Sequence, residues 1–190
     1  MKNTTNVYFV RHAQSDHTVH NEELRPLTVK GLADTKLVTV VLRDKDISVV
    51  FSSPYQRTMD TVKDLAEYLK LKVKSIDGLR ERFVGEWVED FKQYSKNQWD
   101  DFDYKLDGGE SLREAQERNM NALLKIIREN EGSNIVIGTH GTALSTIINY
   151  YNKDYGYNDF WNIIDRMPYI VRFQYQGEEV ISIEEIEIQD

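Results

Sequence analysis

The 190-residue chain predicts an α/β fold. The expected form is a three-layer sandwich: a mostly parallel central sheet with an antiparallel edge, and helices on both faces. Three observations carry this. Val7-Tyr8-Phe9-Val10, Ile47 to Phe51 and Ile135-Val136-Ile137 are short β-rich apolar runs, as strands covered on both faces require. Stretches of helical period separate them. Residues 169–176 and 179–188 then read as a hairpin around Gln176-Gly177.

Each element has a local reason. After the first strand, Leu32, Ala33, Val40 and Val41 mark one face of a helix that begins near Thr28. After the second, Ser53-Pro54 reads as N-cap and first helical residue, with Met59, Val62, Ala66 and Leu69 as the apolar face. Val73 to Ile76 is a weaker strand. Ser111-Leu112-Arg113-Glu114 is a capping box opening a long helix through Leu112, Ala115, Leu123, Ile126 and Ile127, which Gly132 ends. Thr142 to Tyr151 reads as helix. In the last strand Ile181 and Ile183 alternate with Ser182 and Glu184, so one face is wet. Residues 82–110 read as an irregular excursion over the rim of the sheet, with Phe83, Trp87, Phe91, Tyr94, Trp99, Phe102 and Tyr104 among many acids. No repeat and no linker divides the chain, so residues 1–190 are expected to form one domain.

Composition narrows the function. There is no Cys, which removes thiol catalysis, disulfides, Cys-based zinc sites and iron–sulfur clusters, and suits a reducing cytoplasm. The formal net charge is −8, distributed unevenly: residues 1–76 carry 12 Lys+Arg against 9 Asp+Glu, residues 77–190 carry 12 against 23. Nucleic acids and anionic membranes call for a continuous basic field, so neither is expected as a partner. An anionic ligand would need a few local cations. The apolar run at Val7 is too short for a signal peptide, no run is long enough to span a bilayer, and a cytoplasmic location is the expectation.

Ligands of open α/β sheets bind beyond the carboxyl ends of the strands. Arg11-His12 follow the first strand, Ser52-Ser53-Pro54 with Arg57 the second, and Thr139-His140-Gly141 the third. Taken singly, each is an ordinary surface or helix-start sequence. Together they place two guanidiniums and two imidazoles where the fold can gather them, and such a group binds phosphate. A metal is the rival reading, through His12, His17 and His20, but their spacing matches no helical ligand pattern. No Gly-x-Ser-x-Gly elbow and no glycine-rich phosphate loop is present.

Arg11-His12-Ala13-Gln14-Ser15 resembles the Arg-His-Gly-x-Thr/Ser signature of the histidine phosphatase (phosphoglycerate mutase-like) superfamily. Pro26-Leu27-Thr28-x-x-Gly31, Ser52-Ser53-Pro54-x-x-Arg57, Leu79-Arg80-Glu81 with Gly85-Glu86-Trp87, Gly109-Glu110-Ser111 and Thr139-His140-Gly141 are similar to further family segments in the family's order. The resemblance spans roughly residues 6–150 and implies a phosphoglycerate mutase-like fold. It also implies His12 as a nucleophile that becomes phosphohistidine, Arg11, Arg57 and His140 as holders of the phosphoryl oxygens, Glu81 as the acid, and Gln14 as an added phosphate contact. Glu110 is expected instead to belong to a helix start. Ala13 stands where the family has Gly, and Val62 where Ala is common.

The expected activity is hydrolysis of a small-molecule phosphate monoester by double displacement, with no metal and no cofactor. The chemistry suits it: a neutral imidazole can approach a dianion, two Arg and a protonated His140 offset the spreading charge, and a carboxyl of raised pKa protonates the leaving oxygen. A mutase on the same scaffold would need extra cations, yet residues 82–110 offer only Arg82, Lys92, Lys96 and Lys105 against eight acids. A non-catalytic relative would be expected to lack one of the five core groups. Asn21 is a possible substrate contact, and the rim aromatics either face the pocket or pack on the sheet. Neither substrate nor oligomeric state follows from the sequence.

Overall fold

The structure, a computed structural model, describes residues 4–188. Six strands form one sheet: β1 (Thr4–Arg11), β2 (Ile47–Ser52), β3 (Val73–Ser75), β4 (Asn134–Thr139), β5 (Tyr169–Gln176) and β6 (Glu179–Ile186), in the order β3-β2-β4-β1-β5-β6. The first four are mutually parallel; β5 runs antiparallel to β1, and β6 antiparallel to β5. This is the mixed sheet with an antiparallel edge that the sequence predicts.

The period-two pattern of β1 builds both outer layers. Val7 and Phe9 enter one core with Leu123, Ile126 and Ile127 of α4 (Leu112–Glu129) and Leu144 and Ile147 of α5 (Gly141–Tyr151). Tyr8 and Val10 enter the other with Val38 and Leu42 of α1 (Val29–Leu42) and Val62, Leu65 and Ala66 of α2 (Gln56–Tyr68). Val62 is fully enclosed there, so it is a packing residue. The Ser111 capping box that opens α4 has both of its reciprocal bonds.

Several local expectations are corrected. The inward face of α1 is Gly31, Thr35, Val38, Thr39 and Leu42, while Leu32 and Val40 face solvent, because the helix is apolar nearly all round and its periodicity does not choose a face. Helix α2 starts at Gln56 rather than Pro54, with Tyr55 at its N-cap; the Ser53 hydroxyl accepts from the Tyr55 N–H and pairs with His140. In β6 the register slips between Gln174↔Ser182 and Tyr175↔Val180, leaving Ile181 unpaired and exposed. Residues 82–110 are not wholly irregular: they contain α3 (Phe91–Asp100), capped by Asp90 accepting from the Gln93 N–H. A short α6 (Tyr157–Asn162), absent from the sequence reading, packs on α3. No helix among the described residues is long and apolar enough to cross a membrane.

Candidate active site

The parallel neighbours β2, β4 and β1 bring three strand ends to one edge. Arg11 pairs with Thr139 and Ser52 with Gly138 in register. The ladder extends one residue further at each end: the His12 N–H donates to the Thr139 carbonyl at 3.0 Å, and the Ser53 N–H to the Gly138 carbonyl at 3.0 Å. The His12 and His140 rings consequently meet edge to face, centroids 5.5 Å apart.

His12 is held in one tautomer. Its Nδ1 lies 2.8 Å from the Ala13 carbonyl oxygen, which can only accept, so Nδ1 carries the proton and Nε2 presents a lone pair. Burial, then the charges of Arg57 and Arg11, hold this imidazole well below its usual pKa. His140 Nε2 lies 2.7 Å from Ser53 Oγ. Ser53 Oγ also accepts from the Tyr55 N–H, and either it or His140 Nε2 can donate in the bond between them; His140 Nδ1 is buried without a partner. Burial first, then Arg57 and His12, lower this pKa as well. Two buried guanidiniums thus oppose the positive charge expected at His140.

Both guanidiniums are partly engaged. Arg11, 5% exposed, donates to the carbonyls of Ile163, Ile164 and Arg166 behind α6. Burial lowers its pKa to about 10. Arg57, 3% exposed, donates from Nη1 to the Glu22 carbonyl and from Nη2 to Glu22 Oε2 at 3.0 Å. In both, Nε is buried and unpartnered. Burial also lowers Arg57, with Glu22 opposing.

Glu81 lies at the mouth of α5. Its Oε2 accepts from the Thr142 N–H at 3.0 Å, and Oε1 from the Ala143 and Arg82 N–H groups at 2.9 and 2.8 Å. The Thr142 and Ala143 groups are orphan donors of the helix's first turn. One lone pair of Oε2 remains free in this count. Glu110 does not serve the start of α4, as expected from the sequence. It accepts from the Phe83 N–H and from both arms of Arg118. Arg118 in turn donates to the carbonyls of Gly78, Arg80 and Glu81, so the pair clamps the segment carrying Glu81 from both sides.

Other sequence candidates fall outside this group. Gln14 is exposed and accepts from the Thr28 hydroxyl at 2.9 Å, at the start of α1. Gly31 belongs to the same corner, where a β-carbon would stand 2.1 Å from the Gln14 carbonyl oxygen. Asn21 closes a turn by accepting from the Glu23 and Leu24 N–H groups. Ala13 has no positive φ, and its N–H donates to Thr61 Oγ1, so it carries no strain. Among the described residues no three His, Asp or Glu side chains group as metal ligands; His20 instead stacks on Trp87 at 4.1 Å. The rim aromatics divide. Phe91 and Trp99 pack against Phe160 of α6, Trp99 also on Phe102, and Tyr94 on Tyr104, whereas Phe83 and Trp87 stay exposed.

Glu22 and Arg118 escaped the sequence reading. Glu22 sits in an acid-rich segment with no periodicity, and Arg118 is one of many charges on an amphipathic helix. A buried arginine's need for an acceptor becomes visible only once the fold shows which arginines are buried.

The chain matches the family model of the histidine phosphatase superfamily (branch 1) over residues 7–186, and it belongs to that superfamily. A Serratia proteamaculans protein named "Probable phosphoglycerate mutase GpmB" is 29% identical over 155 residues, covering 75% of this chain and 72% of that protein. A mycobacterial glucosyl-3-phosphoglycerate phosphatase has a similar fold, with a TM-score of 0.76 at 18% identity, over 96% of this chain and 97% of that one. So does an Entamoeba histolytica phosphoserine phosphatase determined with phosphoserine, with a TM-score of 0.75 at 19% identity, over 94% and 96% of the two chains.

Proposed function

We propose that the protein hydrolyses phosphate monoesters by two displacements at phosphorus, with His12 Nε2 as the nucleophile. One observation carries the reading. Arg11 Nε, Arg57 Nε and His140 Nδ1 are buried without a partner, and with Nδ1 protonated all three are donors; both arginine charges and the His140 ring act on the His12 imidazole, whose free lone pair is fixed by tautomer. Buried donors left unpaired are costly in a native protein, and an oxyanion would satisfy all three.

In the first displacement an Nε2–P bond forms as the ester P–O bond breaks. Arg11, Arg57 and His140 stabilise the charge on the transferring oxygens. Glu81, protonated at the free lone pair of Oε2, gives its proton to the leaving alkoxide. In the second, water attacks phosphorus, its proton returns to Glu81, and the P–N bond breaks to release inorganic phosphate. Gln14, whose Oε1 accepts from Thr28, adds a phosphate contact through its amide N–H groups.

The name of the Serratia relative favours a second reading, phosphoglycerate mutase chemistry. Against it, the rim cations are engaged: Lys96 with Asp100, Lys105 with Glu114, Arg82 with Gln98 and the Tyr94 ring, and Lys92 with the Trp161 ring. Few remain for a second anionic group. A panel of phosphate esters assayed with chelator present decides. Released phosphate from simple monoesters supports the hydrolase; isomerised phosphoglycerate without released phosphate would establish the mutase.

A further inference from the structure

Glu22 lies in the loop between β1 and α1, and its carboxylate is forked between two buried arginines. Oε2 is 3.0 Å from Arg57 Nη2, and Oε1 is 2.8 Å from Arg25 Nη2. The Glu22 carbonyl holds Arg57 Nη1 as well. Arg57 and Arg25 are 3% and 7% exposed at their side chains, the Glu22 carboxylate 40%. The Arg25 Nε donates to the Val19 carbonyl at 2.9 Å, so its guanidinium is anchored independently of Glu22. After burial, the charges of Arg57 and Arg11 both act to lower the pKa of the His12 ring.

We propose that Glu22 is a built-in competitor for phosphate at Arg57, and that it sets how tightly the site holds both its ester and the released phosphate. The inference rests on the proposed function, which makes Arg57 a phosphoryl holder. An incoming dianion finds one arm of Arg57 already paired with a carboxylate. Either Glu22 withdraws to Arg25 alone, losing a charge-assisted bond, or it stays and repels the dianion at close range. Both routes weaken binding. Arg25 makes withdrawal feasible, because the carboxylate keeps an ion pair when Arg57 changes partner. Weaker phosphate retention in turn favours turnover, since the second displacement leaves inorganic phosphate beside two buried guanidiniums.

Equilibrium binding of inorganic phosphate by calorimetry, on the full chain, tests this with Glu22→Gln, Glu22→Ala and Arg57→Ala. Glu22→Gln keeps the backbone carbonyl on Arg57 Nη1 and removes only the charge. Phosphate should bind about tenfold tighter to it, in line with the coupling of close charge pairs, and Glu22→Ala should tighten binding in the same direction. Unchanged or weaker phosphate binding in both Glu22 variants would overturn the proposal and leave Glu22 as a residue that merely positions Arg57. Ester hydrolysis by the wild-type protein separates the two claims. Hydrolysis without tightening sinks only the competitor role. Tightening that is lost when Arg57→Ala is combined with Glu22→Gln, in a protein without hydrolase activity, sinks only the catalytic reading. No phosphate binding by any variant sinks both.

Discussion

The Arg11 guanidinium lies directly against the α-carbon of Gly141: a β-carbon there would come within 3.2 Å of its Cζ, Nε and Nη2. The first residue of α5 thus leaves room for the strand-end arginine to slide beneath the helix and reach the carbonyls behind α6. Gly141→Ala should displace the guanidinium by a few tenths of an ångström and strain its bonds to the three carbonyl acceptors. The expected cost is about 1–3 kcal/mol of stability from overpacking, together with a fall of about tenfold or more in kcat/KM. Full activity in a correctly folded Gly141→Ala protein would show that Arg11 is not poised by this contact.

Glu81→Gln should separate leaving groups. An amide cannot supply the proton, so alkyl phosphates should lose about 10²- to 10⁴-fold in kcat. An aryl ester such as p-nitrophenyl phosphate, whose leaving group needs no proton, should lose far less. Steady-state rates on the two ester classes check this. Equal losses would move the acid role elsewhere, Glu86 being the next carboxylate along the segment.

Arg118 is expected to act through Glu81. Arg118→Met removes the donor that holds the Gly78, Arg80 and Glu81 carbonyls, and leaves Glu110 with the Phe83 N–H and Arg80. If Arg118 positions the acid, the variant should show the same leaving-group dependence as Glu81→Gln in weaker form, at little cost in KM for p-nitrophenyl phosphate. A uniform loss on all esters would mark it as a purely structural clamp.

The sequence made the three strand ends legible because parallel strands put their carboxyl ends on one edge whatever the details of packing. Arg11, His12, Arg57 and His140 could therefore be grouped without coordinates. Glu81 was legible only through the family resemblance: no periodicity announces that a carboxylate will meet the N-terminus of a helix sixty residues later in the chain. The partners of the buried charges were not legible at all. Glu22 on Arg57, Arg118 on Glu110, and the backbone carbonyls on Arg11 are long-range pairings, decided by which cations the fold encloses. The same applies to α1, whose inward face carries threonines at Thr35 and Thr39 while Leu32 and Val40 stay outside. Hydrophobicity alone points the wrong way there. The aromatic rim, finally, depended on α6, a six-residue helix too short to carry a periodic signal.

Acid should destabilise the fold through its buried imidazoles. His12 and His140 are both held well below the usual imidazole value by burial and by the arginines. Above that value, roughly 6.5, folded and unfolded chains alike carry neutral rings. As pH falls below it, the unfolded chain takes up protons that the folded chain refuses, so stability declines until the lowered folded values are reached. The melting temperature should accordingly drop between pH 7 and pH 5, and His12→Asn should flatten that drop. Hydrolysis should meanwhile persist below pH 6.5, since the nucleophile stays neutral there. A melting temperature independent of pH across this window would mean that the two rings titrate normally.

The central claim is that His12 Nε2 becomes covalently phosphorylated. Rapid quenching of the wild-type protein with a ³²P-labelled ester, followed by mapping of the label, tests it most directly. The account expects acid-labile, alkali-stable phosphate on the peptide containing His12, and none in His12→Ala, whose turnover should fall by about 10³-fold or more with the loss of the covalent step. Label on another residue, or near-normal turnover in His12→Ala with no label at residue 12, would contradict it.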